Sequence, residues 1–268
     1  MKKLSKISLF HYYKLFVRSA LFLIALGVYI TGKIKGYGNL FWGAEDSPVI
    51  LAIIGIFYAV EILLRFIPSP IESMGCQKQF KRNYIPRGEN KERAENQKWT
   101  ATLTVALVWL ALNGILGALY LFGVYDAGIL ILVCLFYAVC DMICILFFCP
   151  FQTWFMKNKC CGSCRIYNWD YAMMFTPLVF IPSVYTYSLL GLSLLLLLKW
   201  EVTYKMHPER FAENTNCALD CSRCEEKLCQ HKRQLRHFLQ RRMEKLNALA
   251  EKAKALTKTK GDGSKKDG

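Results

Sequence analysis

The sequence predicts an all-α protein with several membrane-spanning helices, and three observations support this. The chain has 268 residues, of which 54% are hydrophobic, and it carries a formal net charge of +15. The hydrophobic residues are concentrated in long runs, and the basic residues lie mostly between and after these runs. This distribution is typical of a polytopic membrane protein whose connections contact anionic lipid headgroups. No nucleic-acid-binding motif occurs in the basic tail, so no nucleic-acid partner is expected.

Five apolar segments are long enough, or nearly so, to cross a hydrocarbon core of roughly 30 Å at about 1.5 Å per residue. They cover residues 16–31, 48–67, 100–122, 128–148 and 173–198. Backbone groups inside a membrane must be satisfied within their own segment, which predicts helices. The first segment has no small-residue cleavage site after it and is interpreted as a retained span. We expect four transmembrane helices and a fifth hydrophobic segment broken by proline.

The basic residues predict the orientation of the spans. The connection from Arg65 to Lys98 carries eight Lys and Arg residues, whereas the turn at 123–127 carries none. The connection and the N-terminus are therefore expected in the cytoplasm and the turn outside. Pro177 and Pro182 break or kink the fifth segment. Either this segment re-enters and returns the tail to the cytoplasm, which is the predicted C-terminal location, or it spans as a kinked helix and leaves the tail outside.

Composition divides the chain into four predicted regions. A transmembrane domain covers residues 1–199, a Cys-rich cytoplasmic segment 200–230, a basic amphipathic helix 231–260 and a disordered tail 261–268. Leucines at helical spacing over 235–256 predict a surface that binds either a partner helix or anionic lipid. A solvated charged helix is the alternative.

A short internal similarity predicts a duplicated helical hairpin. Residues 57–61 read FYAVE and residues 136–141 read FYAVCD. Pro70 and Pro150 follow the acidic residues of the two stretches at the same offset. The first two spans would then correspond to the third and fourth, as in transporter folds built from repeats. Coincidence between two apolar helices is the alternative.

Cysteines near the ends of the apolar segments predict a metal site. The chain has twelve cysteines, including the pairs Cys161-x2-Cys164 and Cys221-x2-Cys224. Two such pairs can supply four thiolates to zinc, and Cys229 adds the density expected for an iron–sulfur cluster. Spare ligands are Cys149, Cys160 and Cys217. In an external tail, the C-terminal cysteines would instead form disulfides.

Polar residues inside the apolar segments are the second candidate site. Glu61 and Arg65 lie one helical turn apart and can pair with each other. Asp141 occupies the position equivalent to Glu61 in the predicted repeat, and Asn113 is a further polar candidate within the apolar segments. A carboxylate within the membrane marks proton or cation handling by default. For Glu61 and Arg65, the alternative is a pair that reaches up to the headgroups.

Three function classes follow from these two sites. The first is a membrane protein whose cysteine cluster binds zinc or an iron–sulfur cluster, with a redox or electron-transfer role. The second is a small ion or metal transporter that uses Glu61 and Asp141. The third is a membrane scaffold with a structural zinc site. The chain has no P-loop and no H-E-x-x-H or G-x-S-x-G motif, so neither an enzymatic activity nor catalytic residues are predicted.

Overall fold

The computed structural model describes residues 6–36, 47–68, 74–87, 99–157 and 164–220, together with Arg241. The chain divides into two compact units, Met1–Glu226 and Lys227–Gly268. Within the described ranges the regular structure is helical, and a single isolated β-bridge is the exception. The predicted tail helix at 231–260 lies outside these ranges, apart from Arg241.

Seven α-helices follow one another in the described part of the first unit. They are α1 (Lys6–Lys35), α2 (Ser47–Leu64), α3 (Met74–Gln79), α4 (Trp99–Leu121), α5 (Ala127–Leu146), α6 (Asp170–Phe175) and α7 (Val184–Met206). Four of them, α1, α4, α5 and α7, are long and apolar enough to cross a membrane, and α2 is a shorter apolar helix. The prediction of an all-α fold with four helices long and apolar enough to cross a membrane is confirmed.

Three of the four long helices, α1, α4 and α5, coincide with predicted spans, and the second predicted span corresponds to the 18-residue α2. The second predicted span, 48–67, ends as an α-helix at Leu64. Residues 65–67 form turns before Pro68, because the residue before a proline is disfavoured in helical conformation. The fourth long helix is α7, which takes up most of the predicted fifth segment.

Helices α1 and α5 pack side by side and run in opposite directions. Near the C-terminal end of α1, Lys33 Nζ lies 2.6 Å from Asp126 Oδ2, directly before α5. Arg18 is in the N-terminal half of α1, and Asp141 is near the C-terminal end of α5. Arg18 Nη1 lies 2.9 Å from Asp141 Oδ2. Two ion pairs therefore fix the register of these helices.

The fifth apolar segment is broken at its second proline. A 3₁₀ turn (Arg165–Trp169), α6 and a second 3₁₀ turn (Thr176–Phe180) lead to Pro182, and α7 begins two residues later. Ser183 caps α7 by accepting a hydrogen bond from the backbone N–H of Tyr185. The guanidinium of Arg165 forms an ion pair with Glu201, 36 residues further along. The two ends of this stretch thus lie together, and α7 returns towards the residues that precede α6.

The segment after α7 lies against the connection that follows α2. Pro86 and Asn216 form an antiparallel bridge, in which Arg87 N donates to Thr215 O (3.0 Å) and Cys217 N donates to Ile85 O (2.8 Å). The Asn216 side chain is completely buried and donates to the carbonyls of Lys78 and Arg210. The 74–87 region and the 208–220 region are therefore at the same end of the helices.

The core lies between α1, α2, α5, α6 and α7. Its fully buried members include Tyr58, Leu130 and Ala138. On α4, by contrast, Leu107, Leu110 and Ile115 are more than half exposed. Large apolar side chains that face outwards along a whole helix are expected where lipid is the solvent.

Candidate functional site

A fully buried arginine on α1 is the centre of the candidate site. The side chain of Arg18 has no exposed surface. Its Nη2 donates to Glu61 Oε2 on α2 at 2.7 Å, and its Nη1 donates to Asp141 Oδ2 on α5 at 2.9 Å. The same Nη1 donates to the carbonyl of Ala138 at 3.0 Å. The two carboxylates that the sequence placed in equivalent repeat positions thus share one guanidinium, while the repeat itself stays a prediction.

Three further charged groups complete this network. Lys14 Nζ lies 3.2 Å from Glu61 Oε1, and Arg65 Nη2 lies 2.8 Å from Asp170 Oδ2. Among the residues that the structure describes, the buried network contains three cations and three carboxylates: Lys14, Arg18 and Arg65 with Glu61, Asp141 and Asp170. With all six groups charged, its formal charge is zero. Such pairing is what allows charged side chains to be buried in an apolar interior.

Aromatic rings enclose the two arginines. The guanidinium carbon of Arg18 lies 5.7 Å from the ring centroid of Tyr58 and 5.8 Å from that of Tyr171. Arg65 lies 5.4 Å from the Tyr171 ring and 5.6 Å from the Tyr167 ring. These distances fall within the range of cation–π attraction. The Tyr171 ring, on α6, therefore links the two halves of the network.

Helical spacing places these side chains on facing surfaces. Lys14 and Arg18 are four residues apart on α1, and Glu61 and Arg65 are four residues apart at the end of α2, so each pair shares one face of its helix. The sequence offered Glu61 and Arg65 as partners for each other. In the structure, Glu61 binds the two cations of α1, and Arg65 binds the first residue of α6.

A cavity of about 250 Å³ adjoins the network. It lies between α4, α5, the residues that follow α5 and the 164–174 stretch, and its walls are mostly apolar and aromatic. The carboxylates of Asp141 and Asp170 both line it. Asp141 Oδ2 is bound to Arg18, and its Oδ1 makes no hydrogen bond to the residues that the structure describes. Asp141 is the more exposed of these two carboxylates, at 17% against 6%, and so offers the more accessible connection between the buried network and the cavity.

A π-helical turn at Phe151–Phe155 forms one side of the cavity. It follows Pro150, where the chain leaves α5, and Gln152 is buried against the other lining groups. A π-helical turn is wider than an α-turn and is frequent at functional sites.

Four thiols also line the cavity: Cys140, Cys144, Cys149 and Cys164. Two of them, Cys149 and Cys164, are among the predicted metal ligands. Cys217 lies away from the cavity, next to the Pro86–Asn216 bridge, where its backbone N–H donates to Ile85 O. The other predicted ligands lie outside the described residues: Cys160, Cys161, Cys221, Cys224 and Cys229. In the part of the chain that the structure describes, no three His, Cys, Asp or Glu residues could together hold a metal ion. The zinc or iron–sulfur site stays a prediction.

Asn113, the remaining polar candidate, is buried on α4 and donates to the carbonyl of Trp109 in its own helix at 2.9 Å. Asn113 does not bind Asp141, whose partner is Arg18, 123 residues away in the sequence. Sequence reasoning missed Lys14, Arg18 and Asp170. Arg18 lies inside the first apolar segment, one helical turn after Lys14. This spacing of two cations in a hydrophobic helix is the signal that could have identified Lys14 and Arg18.

Comparison of this chain with models of protein families, with curated proteins and with solved structures gives no match.

Proposed function

We propose that this chain is a membrane transporter that exchanges a small cation for a proton, with Asp141 as the carboxylate that binds the cation. One observation carries this proposal. Asp141 is bound to a buried arginine through Oδ2, and it also lines a cavity of about 250 Å³. An intramembrane carboxylate beside a cavity is the usual arrangement for binding a cation or a proton in a membrane protein.

The charge balance of the network supports exchange rather than simple uptake. Three cations and three carboxylates sum to zero, so a bound cation would leave one uncompensated positive charge in an apolar interior, which is costly. Release of one proton restores neutrality.

We also propose a topology in which the N-terminus, the 65–98 connection and the C-terminal region are cytoplasmic. The bridge between Pro86 and Asn216 supports placing the 65–98 connection and the C-terminal region on the same side of the membrane. The excess of Lys and Arg in both regions supports a cytoplasmic location for them. Residues 165–206 would then enter the membrane as a broken hairpin, with Arg165 and Glu201 closing its cytoplasmic end.

The exchange can be tested with purified protein in liposomes that contain a pH-sensitive dye. External NaCl, KCl or tetramethylammonium chloride is added at constant ionic strength. We expect an accepted cation to drive protons outwards and make the lumen more alkaline. Asp141→Asn should abolish this signal. Asp126→Asn, which changes an acidic residue at the other end of α5, should retain it.

Two results would contradict the proposed function. The first is that neither these three cations nor a larger organic ammonium ion changes the luminal pH although the protein is folded and inserted. The second is that Asp141→Asn exchanges at the wild-type rate.

We keep metal binding by cysteine as a second candidate function. The observation that favours it is that Cys149 and Cys164, on either side of residues 158–163, both line one cavity. Thiols gathered in this way select soft or borderline metals. Elemental analysis and a visible spectrum of anaerobically purified protein test it, with Cys161→Ser and Cys224→Ser expected to lose the metal. A full metal complement in a variant without Cys161, Cys164, Cys221 and Cys224 would refute it.

A further inference from the structure

Three aromatic rings from separate parts of the chain meet on the cavity wall. The ring centroid of Trp109 on α4 lies 4.7 Å from that of Tyr137 on α5 and 6.0 Å from that of Phe151 in the π-helical turn. The Trp109 indole N–H donates to Thr176 Oγ1 at 3.2 Å, which fixes the ring. Fixed aromatic faces attract cations that carry little bound water.

The same cavity offers few oxygen atoms to a metal ion. Both carboxylate oxygens of Asp170 already accept hydrogen bonds, one from Arg65 and one from the backbone N–H of Tyr171. The other lining side chains with oxygen are Asp141, Tyr137, Tyr167 and Gln152. A hard cation such as Ca²⁺ takes about six to eight oxygen ligands. The walls therefore favour a cation that needs one counterion and apolar contacts.

The size of the cavity sets the size of the ligand. Its volume is about 250 Å³. An engineered cavity of roughly 150 Å³ in another protein binds benzene. A single ring bearing a small charged group is therefore an appropriate size for this cavity.

We propose that the cation is an organic ammonium ion with an aromatic or branched alkyl body. This inference rests on the proposed function, because it uses Asp141 as the counterion. The ammonium group lies against Asp141, and the body lies between Trp109, Tyr137 and Phe151. No inorganic ion is required for binding.

The test is an equilibrium binding titration of wild-type protein in lipid nanodiscs with phenyltrimethylammonium. Its neutral analogue, tert-butylbenzene, has nearly the same shape, and NaCl at equal ionic strength serves as the inorganic control. We expect saturable binding of the ammonium ion and binding of tert-butylbenzene weaker by about tenfold or more. Trp109→Leu should weaken ammonium binding by about three- to tenfold. Tyr120→Leu, which removes a ring that pairs with Tyr125, should leave it unchanged.

The outcomes separate this inference from the proposed function. Saturable binding of Na⁺ without binding of phenyltrimethylammonium would overturn the organic ligand and leave cation exchange at Asp141 standing. Equal affinity for phenyltrimethylammonium and tert-butylbenzene would also overturn it, because the positive charge would then contribute nothing. The comparison of charged and neutral ligands uses wild-type protein alone and does not depend on any variant being folded.

Discussion

Arg18 and Asp141, which lie 123 residues apart in the sequence, form a 2.9 Å ion pair where the buried network meets the cavity. Arg18 is completely buried, and Asp141 is partly accessible from the cavity. The pair therefore contains a charge that cannot leave the interior and a charge that a ligand can reach. A cation in the cavity would compete with Arg18 for this carboxylate, while Glu61 would continue to hold the arginine.

Replacing Arg18 by methionine should destabilise the protein strongly. The substitution would leave Glu61 and Asp141 without their shared guanidinium, and breaking a buried ion pair from one side costs about 3–5 kcal/mol. Thermal and denaturant unfolding in detergent measure this. Lys33→Met breaks a pair whose ammonium is half exposed and should have a much smaller effect. Equal losses in the two variants would show that the Arg18 network does not stabilise the fold.

A combined variant tests whether this loss comes from the unpaired carboxylates. Arg18→Met together with Glu61→Gln and Asp141→Asn should recover part of the stability, since the uncompensated negative charges are then removed. No recovery would assign the loss to packing around Arg18 instead.

Two glycines on α4 give a matched test of how the 176–180 turn packs. A Cβ at Gly117 would collide with the ring of Phe180, whereas a Cβ at Gly114 would meet nothing within 4 Å. Gly117→Ala should therefore lower the free energy of unfolding by about 1–3 kcal/mol. Gly114→Ala should be neutral, or stabilising by up to about 1 kcal/mol, because alanine favours helix. Identical unfolding curves for the two variants would contradict the contact with Phe180.

Single cysteines in a cysteine-depleted background test the proposed topology. Arg82→Cys and Asn214→Cys are exposed sites in the two segments joined near the Pro86–Asn216 bridge. Both should react with an impermeant maleimide only after the cells are permeabilised. Phe122→Cys, at the turn after α4, should react in intact cells. Labelling of Asn214→Cys but not Arg82→Cys in intact cells would refute a shared side.

Asp126 should make the stability of the fold sensitive to acid. Burial raises the pKa of this carboxyl, but the hydrogen bonds from Lys33 and Tyr29 outweigh burial, and the net pKa lies below its ordinary value. A carboxyl whose pKa is lower in the folded state stabilises the fold above its unfolded pKa, and this stabilisation is lost as the pH falls through the folded pKa. The unfolding temperature of wild type should therefore fall more steeply below about pH 5 than that of Asp126→Asn. Parallel curves would contradict this contribution.

The helices could be predicted from the sequence, but the ion pairs that join one helix to another could not. Long apolar runs locate α1, α4 and α5 because a helix in lipid must satisfy its own backbone, and Pro182 marks the start of α7. Local sequence patterns identify only neighbours one or two helical turns away, so they predict Arg65 as the ion-pair partner of Glu61. Its partners on α1 are at least 43 residues away along the chain. The cavity is lined in part by a π-helical turn, which has no distinctive sequence pattern.

The central claim is that a cation binds at Asp141 and displaces a proton. Isothermal titration of the protein with NaCl, KCl and phenyltrimethylammonium chloride, in two buffers of different ionisation enthalpy, gives both the affinity and the protons released. We expect at least one of these cations to bind wild-type protein with release of about one proton, and Asp141→Asn to lose that binding. Binding without proton release, or undiminished binding by Asp141→Asn, would contradict the claim.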